Sequence, residues 1–496
     1  MKNLLTASQI RAVDAYTIQH QPVASIDLME KAASAFVEAF IAAYPDQQQA
    51  VLVACGQGNN GGDGLAIARI LANKGFSNIR VCLVQFSPNS STDYKINLER
   101  LKKEMPSISI LNNTSELGFL KGEIIIDALL GSGLNKPLSG AYAELIALIN
   151  TAGVTVVSVD VPTGFSSEGE IGYPYQGIKA DLAISFQLPK INFFFPESAK
   201  ALKKFKVVPI GLDEDYIQNL PSNWKLITDQ FISHTLKPRE NFSHKGTYGH
   251  ALILAGNTET MGAALLATGA CLHSGVGLVT VCIPQSGVTA LNVSLPEAMF
   301  LNREVLQKTT LNKYQAVAVG PGLGVDKEQT QLLDYLLAQN ESLVLDADAL
   351  NIIAGNKHLL NKIPKQSIIT PHLKEFDRLF GEHQNWWQRV ETARQKAKEL
   401  QIVVVLKNQY TFMALPTGEV CINPTGNPAM AQGGMGDVLT GMIVSFIAQG
   451  YTCEQAAILG VYLHGETGDA LAENQGVIAA SNLSQNIPKI LKKYNR

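Results

Sequence analysis

Two glycine-rich runs carry the side chains whose types and spacing are best suited to chemistry. The first, Gly56–Gly64, reads GQGNNGGDG and directly follows a short apolar run. The second, Gly433–Asp437, reads GGMGD and precedes a long apolar helical pattern. Glycines at a helix start let backbone N–H groups converge on phosphate, at the positive end of the helix dipole. Both runs therefore predict a ligand site at the start of a helix.

The first run resembles a dinucleotide fingerprint only in part. Its glycines match G-x-G-x-x-G, but the acidic residue expected about twenty positions later is missing, since the next strand ends in the run 83–86, LVQF. This disfavours an NAD-dependent oxidoreductase. Asn59, Asn60 and Asp63 instead offer oxygens that suit a hard cation or the polar edge of a ribose. The alternative is a tight turn with asparagines in left-handed conformations.

Two later strand patterns also end in an aspartate. Asp127 closes the run IIID, and Asp160 lies in the run SVDVPTG. In a doubly wound sheet, ligands bind beyond the carboxyl ends of the strands. We therefore expect Asn60, Asp127 and Asp160 to face one crevice, although each aspartate taken singly could cap a helix or close a turn.

Asp437 is the most informative residue of the second run. A carboxylate beside a phosphate-binding turn would be repelled by the ligand, so its presence there indicates chemistry rather than binding alone. It could accept a hydroxyl proton during phosphoryl transfer. The alternative is an aspartate that is merely favourable near a helix amino terminus.

Short β-branched runs separated by helix-length segments position these residues. The 496 residues are too many for one ordinary core, so we expect two α/β domains, 1–225 and 226–496. The boundary between them falls within a more polar stretch at 211–241. Residues 7–43 are predicted to be helical. The strands are expected at 50–55, 79–84, 124–130, 154–161 and 182–187 in the first domain, and at 251–255, 278–283, 316–319, 343–345, 368–370 and 402–406 in the second.

Composition excludes several classes of function. A net charge of −3 offers no basic field for nucleic acid or an anionic membrane. The sequence shows neither a signal-peptide pattern nor an apolar run of about 20 residues, so we expect a cytoplasmic protein. The six cysteines are scattered and the nine histidines have no zinc-ligand spacing. The run 193–196, FFFP, is an apolar cluster that suggests a subunit interface in a homo-oligomer.

Residues 1–220 resemble the NAD(P)H-hydrate epimerase family through GQGNNGGDG, IIDALLGSGLNKP and SVDVPTG, in that order. The resemblance implies a Rossmann-like doubly wound sheet, Asp160 as the general acid/base, and K⁺ held by Asn60, Asp127 and Thr163. Lys136 is a weaker candidate for the general acid/base, and it could equally be a solvated loop charge. The implied substrate-binding residues, besides Asp160, are Asn59, Asn60, Gly61, Gly62, Asp63, Gly131, Ser132, Gly133, Leu134, Asn135, Lys136, Pro137 and Tyr142.

Residues 230–490 resemble the ADP/ATP-dependent NAD(P)H-hydrate dehydratase family, which has a ribokinase-like fold. The runs that carry the resemblance are HKGTYG, GPGLG, DADALN, TPHLKE and GGMGDVLTG. It implies Asp437 as the catalytic base. The implied hydrate-binding residues are Ala263, Gly322, Gly324, His372 and Asp437, and the implied nucleotide-binding residues are Lys407, Asn408, Gln409, Tyr410, Thr411 and Gly436. Asp346 and Asp348 could bind magnesium, cap the next helix or support the site indirectly.

Three positions depart from that family's usual pattern. Lys407-Asn408 replaces Lys-Gly, Gly256-Asn257 replaces Gly-Ser, and Met435 replaces a smaller residue. These departures bear on nucleotide preference and affinity more than on the chemistry.

Together the two resemblances imply a metabolite-repair enzyme. Its substrates would be hydrated NADH and NADPH (NADHX and NADPHX) and ADP accompanied by Mg²⁺. The main alternative is a small-molecule kinase fused to a non-catalytic binding domain.

Overall fold

The computed structural model describes residues 1–86, 88–111, 117–133 and 138–494. The predicted substrate residues Leu134, Asn135, Lys136 and Pro137 lie outside these ranges. The chain forms two compact units. The N-terminal unit contains residues 3–222 and 385–387, and the C-terminal unit contains residues 1–2, 223–384 and 388–496. Their main division falls between Ser222 and Asn223, and the assignment of one activity to each domain stays a prediction.

The N-terminal unit is built on a parallel seven-stranded sheet with the order β4-β3-β2-β5-β6-β7-β8. The strands of residues 1–222 are β1 (Lys2–Leu4), β2 (Val51–Cys55), β3 (Ile79–Leu83), β4 (Ser109–Leu111), β5 (Ile124–Ala128), β6 (Thr155–Val159), β7 (Ala180–Phe186) and β8 (Leu202–Val208). The helices are α1 (Ala7–His20), α2 (Ser25–Ala43), α3 (Asn59–Asn73), α4 (Thr92–Glu104), α5 (Ala141–Thr151) and α6 (Glu214–Asn219).

The direction of winding of this sheet reverses between β2 and β5. Successive residues of β2 point into different cores, with Val51 and Val53 on one face and Leu52 and Ala54 on the other. Both faces are covered, so the predicted Rossmann-like doubly wound sheet is confirmed. Ligands of such sheets bind at the reversal point, beyond the carboxyl ends of the strands.

The C-terminal unit contains a larger sheet with the strand order β9-β18-β17-β16-β15-β14-β13-β10-β11-β12. The strands are β9 (Trp224–Leu226), β10 (His250–Leu254), β11 (Leu278–Ile283), β12 (Met299–Asn302), β13 (Ala316–Val319), β14 (Val344–Leu345), β15 (Ile368–Ile369), β16 (Val403–Leu406), β17 (Phe412–Ala414) and β18 (Val420–Ile422). Pairing is parallel from β12 to β16, and antiparallel from β16 through β18.

Helices cover this sheet as they do in other α/β folds. They are α7 (Asp229–Thr235), α8 (Met261–His273), α9 (Val288–Ser294), α10 (Lys327–Gln339), α11 (Asp348–Gly355), α12 (Leu373–Phe380), α13 (Trp386–Leu400), α14 (Met435–Ala448), α15 (Cys453–Ala472) and α16 (Ala480–Tyr494). The predicted α/β class therefore holds for both units.

Three sequence-based expectations need correction. Residues 7–43 form two helices, α1 and α2, which are separated at Gln21-Pro22 because proline cannot continue a helix from the preceding turn. Helix α3 begins at Asn59, five residues before the amphipathic stretch that the sequence indicates from Gly64. The cluster Phe193–Phe195 is buried inside the chain, so it offers no exposed patch for a subunit interface.

In the described part of the chain, every helix is too short or too polar to cross a lipid bilayer.

Candidate active sites in the two units

A cavity of about 440 Å³ lies at the reversal point of the N-terminal sheet. The starts of α1 and α3 and the carboxyl ends of β5, β6 and β7 supply its walls. Seven of the residues predicted for substrate binding line it: Asn59, Asn60, Asp63, Gly131, Ser132, Gly133 and Asp160. The structure thus brings together residues that lie about a hundred positions apart in the sequence.

The three residues predicted to hold potassium lie at this end of the sheet. Asp127 is fully buried and its carboxylate accepts hydrogen bonds from Thr163 Oγ1 (2.6 Å), Thr163 N (2.8 Å), Ser158 Oγ (2.8 Å) and Leu129 N (3.3 Å). Burial raises the pKa of Asp127, and these hydrogen bonds oppose the rise. Because the carboxylate already accepts four hydrogen bonds, a cation bound to it would have to displace at least one.

Asn60 is the remaining member of the predicted potassium set. It is buried in the first turn of α3, and its side-chain Nδ2 has no hydrogen-bond partner among the described residues. Within the described ranges, no group of three or more Cys, His, Asp or Glu side chains is arranged to hold a metal ion. The predicted potassium site is of a different kind, because it combines a carboxamide, a hydroxyl and a single carboxylate. The oxygen atoms of these groups suit a hard cation.

Asp160 is held in an unusual backbone conformation at the cavity wall. Its φ is +62°, in the left-handed region that non-glycine residues enter at a cost and that aspartate tolerates better than most. Its Oδ1 accepts hydrogen bonds from Phe186 N (3.0 Å) and Ser185 Oγ (3.2 Å), and lies 2.7 Å from Lys190 Nζ. Lys190 is 4% exposed, so this is a buried ion pair that fixes the carboxylate against the cavity.

Three further residues predicted for substrate binding, Gly61, Gly62 and Tyr142, pack against other residues of this unit. A Cβ on Gly61 would overlap the backbone carbonyl of Gly56, and one on Gly62 would lie 2.9 Å from Met29 Sδ. Both glycines therefore permit close packing of α3 and are absent from the cavity lining. Tyr142 packs edge to face on Phe86, with ring centroids 4.9 Å apart.

Gly61→Ala is expected to destabilise the N-terminal unit. The added methyl group would clash with rigid backbone, and overpacking of this kind costs on the order of 1–3 kcal/mol, more than the helix propensity that alanine gains. Gly58→Ala is the matched control, because nothing lies within 4 Å of a Cβ there. Calorimetric melting should show a lower unfolding temperature for Gly61→Ala only. Equal melting temperatures for the two variants would contradict the packing argument.

In the C-terminal unit the second glycine run opens α14. Gly434 has a φ of +88° and forms the N-cap, so Gly436 and Asp437 lie in the first helical turn. Burial raises the pKa of the half-buried Asp437 to about 6, the nearby Asp346 charge adds to the rise, and Lys407 opposes it. A carboxyl group with this pKa is matched to proton transfer near neutral pH.

Asp346 joins three segments around that turn. It follows β14 and is 1% exposed. Its Oδ1 lies 2.8 Å from Lys407 Nζ, and its Oδ2 accepts a 2.7 Å hydrogen bond from Thr440 Oγ1 of α14. Asp346 therefore positions the ammonium group of Lys407 and the first turns of α14, which gives it an indirect role in the site. Gly436 completes the arrangement, because its Cα faces Lys407 Nζ.

A second cavity, of about 410 Å³, has Lys407 in its lining. Of the residues predicted for nucleotide binding, Lys407, Asn408, Gln409, Thr411 and Gly436 line it. Tyr410 is half-buried outside the lining, where burial and the charge of Asp469 raise its pKa.

Three of the residues predicted for hydrate binding, Ala263, Gly322 and Gly324, lie around the loop after β13. A Cβ on Gly322 would lie 2.9 Å from Ala263 Cβ, and Gly324 N donates a 2.9 Å hydrogen bond to Asp348. His372 is half-exposed and caps α12, accepting a 3.0 Å hydrogen bond from Lys374 N through Nδ1. Pro371, which precedes His372, accepts a 3.1 Å hydrogen bond from the backbone N–H of Lys407.

Two family models match the chain, and relatives match it almost completely. One model, described as NAD(P)H-hydrate dehydratase, matches residues 251–489; the other, described as YjeF-related protein N-terminus, matches residues 25–192. A protein of Moorella thermoacetica named bifunctional NAD(P)H-hydrate repair enzyme is 35% identical, over 99% of this chain and 96% of its own length.

This chain belongs to the bifunctional NAD(P)H-hydrate repair enzyme family.

Other comparisons agree with this family. A protein of Coxiella burnetii with the same name is 33% identical over 94% of each chain. The ADP/ATP-dependent NAD(P)H-hydrate dehydratase from Bacillus subtilis, co-crystallised with ATP and Mg²⁺, is 34% identical, with a TM-score of 0.50 over 54% of this chain and 98% of its own. A ribokinase-like protein from Enterococcus faecalis is 30% identical, with a TM-score of 0.52 over 55% of this chain and 98% of its own. The predicted ribokinase-like fold is confirmed.

Several residues that line the cavities of this family member were not among the predicted site residues, although His464 fits the family pattern and was expected to have a packing role. Arg11, Asp14 and Lys190 line the N-terminal cavity, and His464 lines the C-terminal one. Charges at helical spacing in α1 could have drawn notice, whereas Lys190 lies in a loop with no motif. Burial lowers the pKa of His464 to about 4, so its imidazole is neutral at pH 7, and its Nε2 has no hydrogen-bond partner among the described residues.

Proposed function

We propose that the chain repairs hydrated nicotinamide cofactors with two active sites. The N-terminal unit would interconvert the R and S forms of NADHX and NADPHX. The C-terminal unit would dehydrate the S form back to NADH or NADPH and convert ADP to AMP and phosphate. The observation that carries this proposal is Asp437, a carboxyl with a pKa near 6 in the first turn of α14, beside Lys407 and the cavity lined by the nucleotide run.

The dehydration follows from what a base can do beside a nucleotide. Asp437 takes the proton of the C6 hydroxyl, and that oxygen forms a bond to the terminal phosphorus of ADP while the bond to AMP breaks. Phosphate then leaves C6 with the electron pair, and solvent takes a proton from C5, whose bonding pair forms the ring double bond. The nucleotide thereby converts a poor leaving group into a good one.

We propose that Lys407 binds the phosphates of ADP during this reaction. Lys407 lines the cavity, and its ammonium group lies 2.8 Å from Asp346 Oδ1, which orients it. Asp346 and Asp348 already interact with Lys407, Thr440 and Gly324, so magnesium bound to either carboxylate would compete with these partners. Magnesium bound to nucleotides usually needs only one or two protein ligands besides the phosphates, and we assign no step to it.

In the N-terminal unit we propose Asp160 as the group that moves protons at C6. The buried ion pair with Lys190 holds the carboxylate in place. Potassium fits the oxygens of Asn60, Asp127 and Thr163, where it would supply positive charge at the carboxyl end of β5. Thr163 Oγ1 also accepts a 3.0 Å hydrogen bond from Leu130 N, so the loop that follows β5 depends on the same group.

Two activities in one chain have a stereochemical reason. Hydration of the ring produces both C6 epimers, and a stereospecific dehydratase consumes only one of them. An epimerase in the same chain would supply the consumed form from the other, so that the whole pool is repaired.

A repair assay tests the proposed function. The protein is incubated with hydrated NADH and either ADP or ATP, with K⁺ present or absent, while the near-ultraviolet absorbance of reduced nicotinamide is followed. We expect the absorbance to return with AMP and phosphate as products. A stable phosphorylated product without any NADH would identify a small-molecule kinase instead, and no recovery with either nucleotide would refute the dehydratase.

Gly436→Ala is expected to weaken ADP binding by about tenfold while leaving the fold stable. Its Cβ would lie 3.3 Å from Lys407 Nζ, at the place where phosphates must approach the helix start. Gly355→Ala at the end of α11 is the control, because a Cβ there meets nothing within 4 Å. Isothermal titration with ADP gives the comparison. Unchanged affinity in Gly436→Ala would place the phosphates elsewhere.

A further inference from the structure

Helix α1 supplies one wall of the N-terminal cavity, although no motif identifies it in the sequence. Ile10, Arg11 and Asp14 all line the cavity, and residues three or four positions apart share a helix face. The helix is anchored by a capping box between Thr6 and Gln9. It therefore presents an ionisable side chain, Asp14, to the space that Asp160 faces.

The two carboxyls in this cavity have different surroundings. Asp160 pairs with Lys190 and accepts hydrogen bonds from Phe186 N and Ser185 Oγ, which hold its carboxylate in place. No hydrogen bond from the described residues reaches the carboxyl of Asp14. Burial raises the pKa of Asp14 to about 6, the charge of Asp160 adds to the rise, and Lys190 opposes it.

Such a pair is how one site holds an acid and a base at the same pH. Both carboxyls line a cavity large enough for a nicotinamide ring, and their charges interact. The other charged groups that line it are Arg11 on α1, Asp63 on α3 and Lys190 after β7. Burial together with the charges of Asp160 and Asp14 raises the pKa of Asp63 as well.

We propose, on the basis of the epimerase function proposed above, that Asp14 is the general acid of the N-terminal site and Asp160 is its general base. The inference adds α1 to the active site and gives each carboxyl a separate task.

The reaction balances with water as the only co-reactant. The carboxyl proton of Asp14 passes to the C6 hydroxyl, the C6–O bond breaks with its electron pair, and water leaves. The lone pair of the ring nitrogen N1 forms a double bond to C6. Water then adds to C6 from the opposite face, the pair returns to N1, and the carboxylate of Asp160 takes the proton. Exchange with solvent restores both carboxyls, and the reverse direction uses them in exchanged roles.

Asp14→Asn is the direct test, with Glu38→Gln as control because Glu38 is exposed on α2 and distant from the cavity lining. Purified R hydrate is supplied, and formation of the S hydrate is followed by chromatography. We expect kcat for epimerisation to fall by roughly 10²–10⁴-fold in Asp14→Asn, with KM little changed and dehydration of the S form intact. Wild-type kcat in a folded Asp14→Asn protein would overturn the role of Asp14 alone, whereas a wild-type chain without any epimerisation would overturn the proposed function as well.

A merely structural role is separated by pH and by isotope. In the wild type, kcat/KM should fall as pH rises through about 6, because the proton of Asp14 is lost. That limb should persist in Asp14→Glu, which keeps an acid, and a limb that survives unchanged in Asp14→Asn would refute the assignment. In heavy-oxygen water each epimerisation should place solvent oxygen on C6, and epimerisation by the wild type without label would rule out the C–O cleavage.

Discussion

Asp437→Asn is expected to abolish dehydration while epimerisation by the same molecules continues. Loss of a general base costs roughly 10²–10⁴-fold in rate, and the asparagine side chain occupies the same space. The measurement is the recovery of NADH from pure S hydrate with saturating ADP. Epimerisation of the R hydrate serves as an internal control for protein quality, because it depends on the other unit.

The same variant should be more stable than the wild type at neutral pH. The pKa of Asp437 is raised in the folded state, so the ionised carboxylate opposes folding at pH 7, and this cost disappears as pH falls below the unfolded value near 4. Removing the charge should add on the order of 1–2 kcal/mol at pH 7 and nothing at pH 4, since one pKa unit corresponds to about 1.4 kcal/mol and part of the group faces solvent. Full dehydratase activity in Asp437→Asn would refute its role as the base.

Asp160→Asn is expected to divide the repair of a mixed hydrate pool into two phases. The S fraction should be dehydrated at the wild-type rate, and the R fraction should then follow only as fast as it epimerises without enzyme. Asparagine is the suitable replacement, because it tolerates the φ of +62° better than alanine does and so separates chemistry from backbone strain. A single phase with the wild-type end point would show that Asp160 is dispensable.

Lys190→Met should give the same two phases, since the ion pair holds Asp160 in place. Lys203→Met is the matched control in the same unit. Lys203 lies 2.6 Å from Asp181 Oδ1, but its side chain is 77% exposed, and exposed pairs contribute little. Two-phase repair in both lysine variants would indicate a general loss of stability and would contradict a specific role for Lys190.

The sequence was most informative where strands end in polar residues. Short apolar runs placed most of the sheet, and the ends after β2, β5 and β6 placed Asn60, Asp127 and Asp160. The edge strand β8 was missed, because three lysines interrupt its apolar residues. Position along the chain also cannot show that α1 folds against the ends of β6 and β7. Asp14 and Lys190 therefore emerged only from the structure.

The glycine runs show a second limit of prediction from sequence. Gly61 and Gly62 occur in a run typical of ligand binding, and they also lie close to other parts of the unit: Gly61 to the backbone of Gly56, and Gly62 to the side chain of Met29. Sequence alone cannot distinguish a glycine that admits a ligand from one that admits another segment of the chain. A Cβ on Gly436 would lie 3.3 Å from the charged Nζ of Lys407, whereas one on Gly61 or Gly62 would meet uncharged groups.

Through the carboxylate of Asp346, the proposed nucleotide site depends on complete folding of the C-terminal unit. It holds Lys407, 61 positions away, and Thr440, 94 positions away, so the site exists only when segments from across the C-terminal unit have met. A partly synthesised or partly unfolded chain would have no affinity for ADP. The ligand therefore recognises only the folded population and shifts the folding equilibrium toward it by mass action. In a cell, the supply of nucleotide would protect newly made chains as well as drive their chemistry.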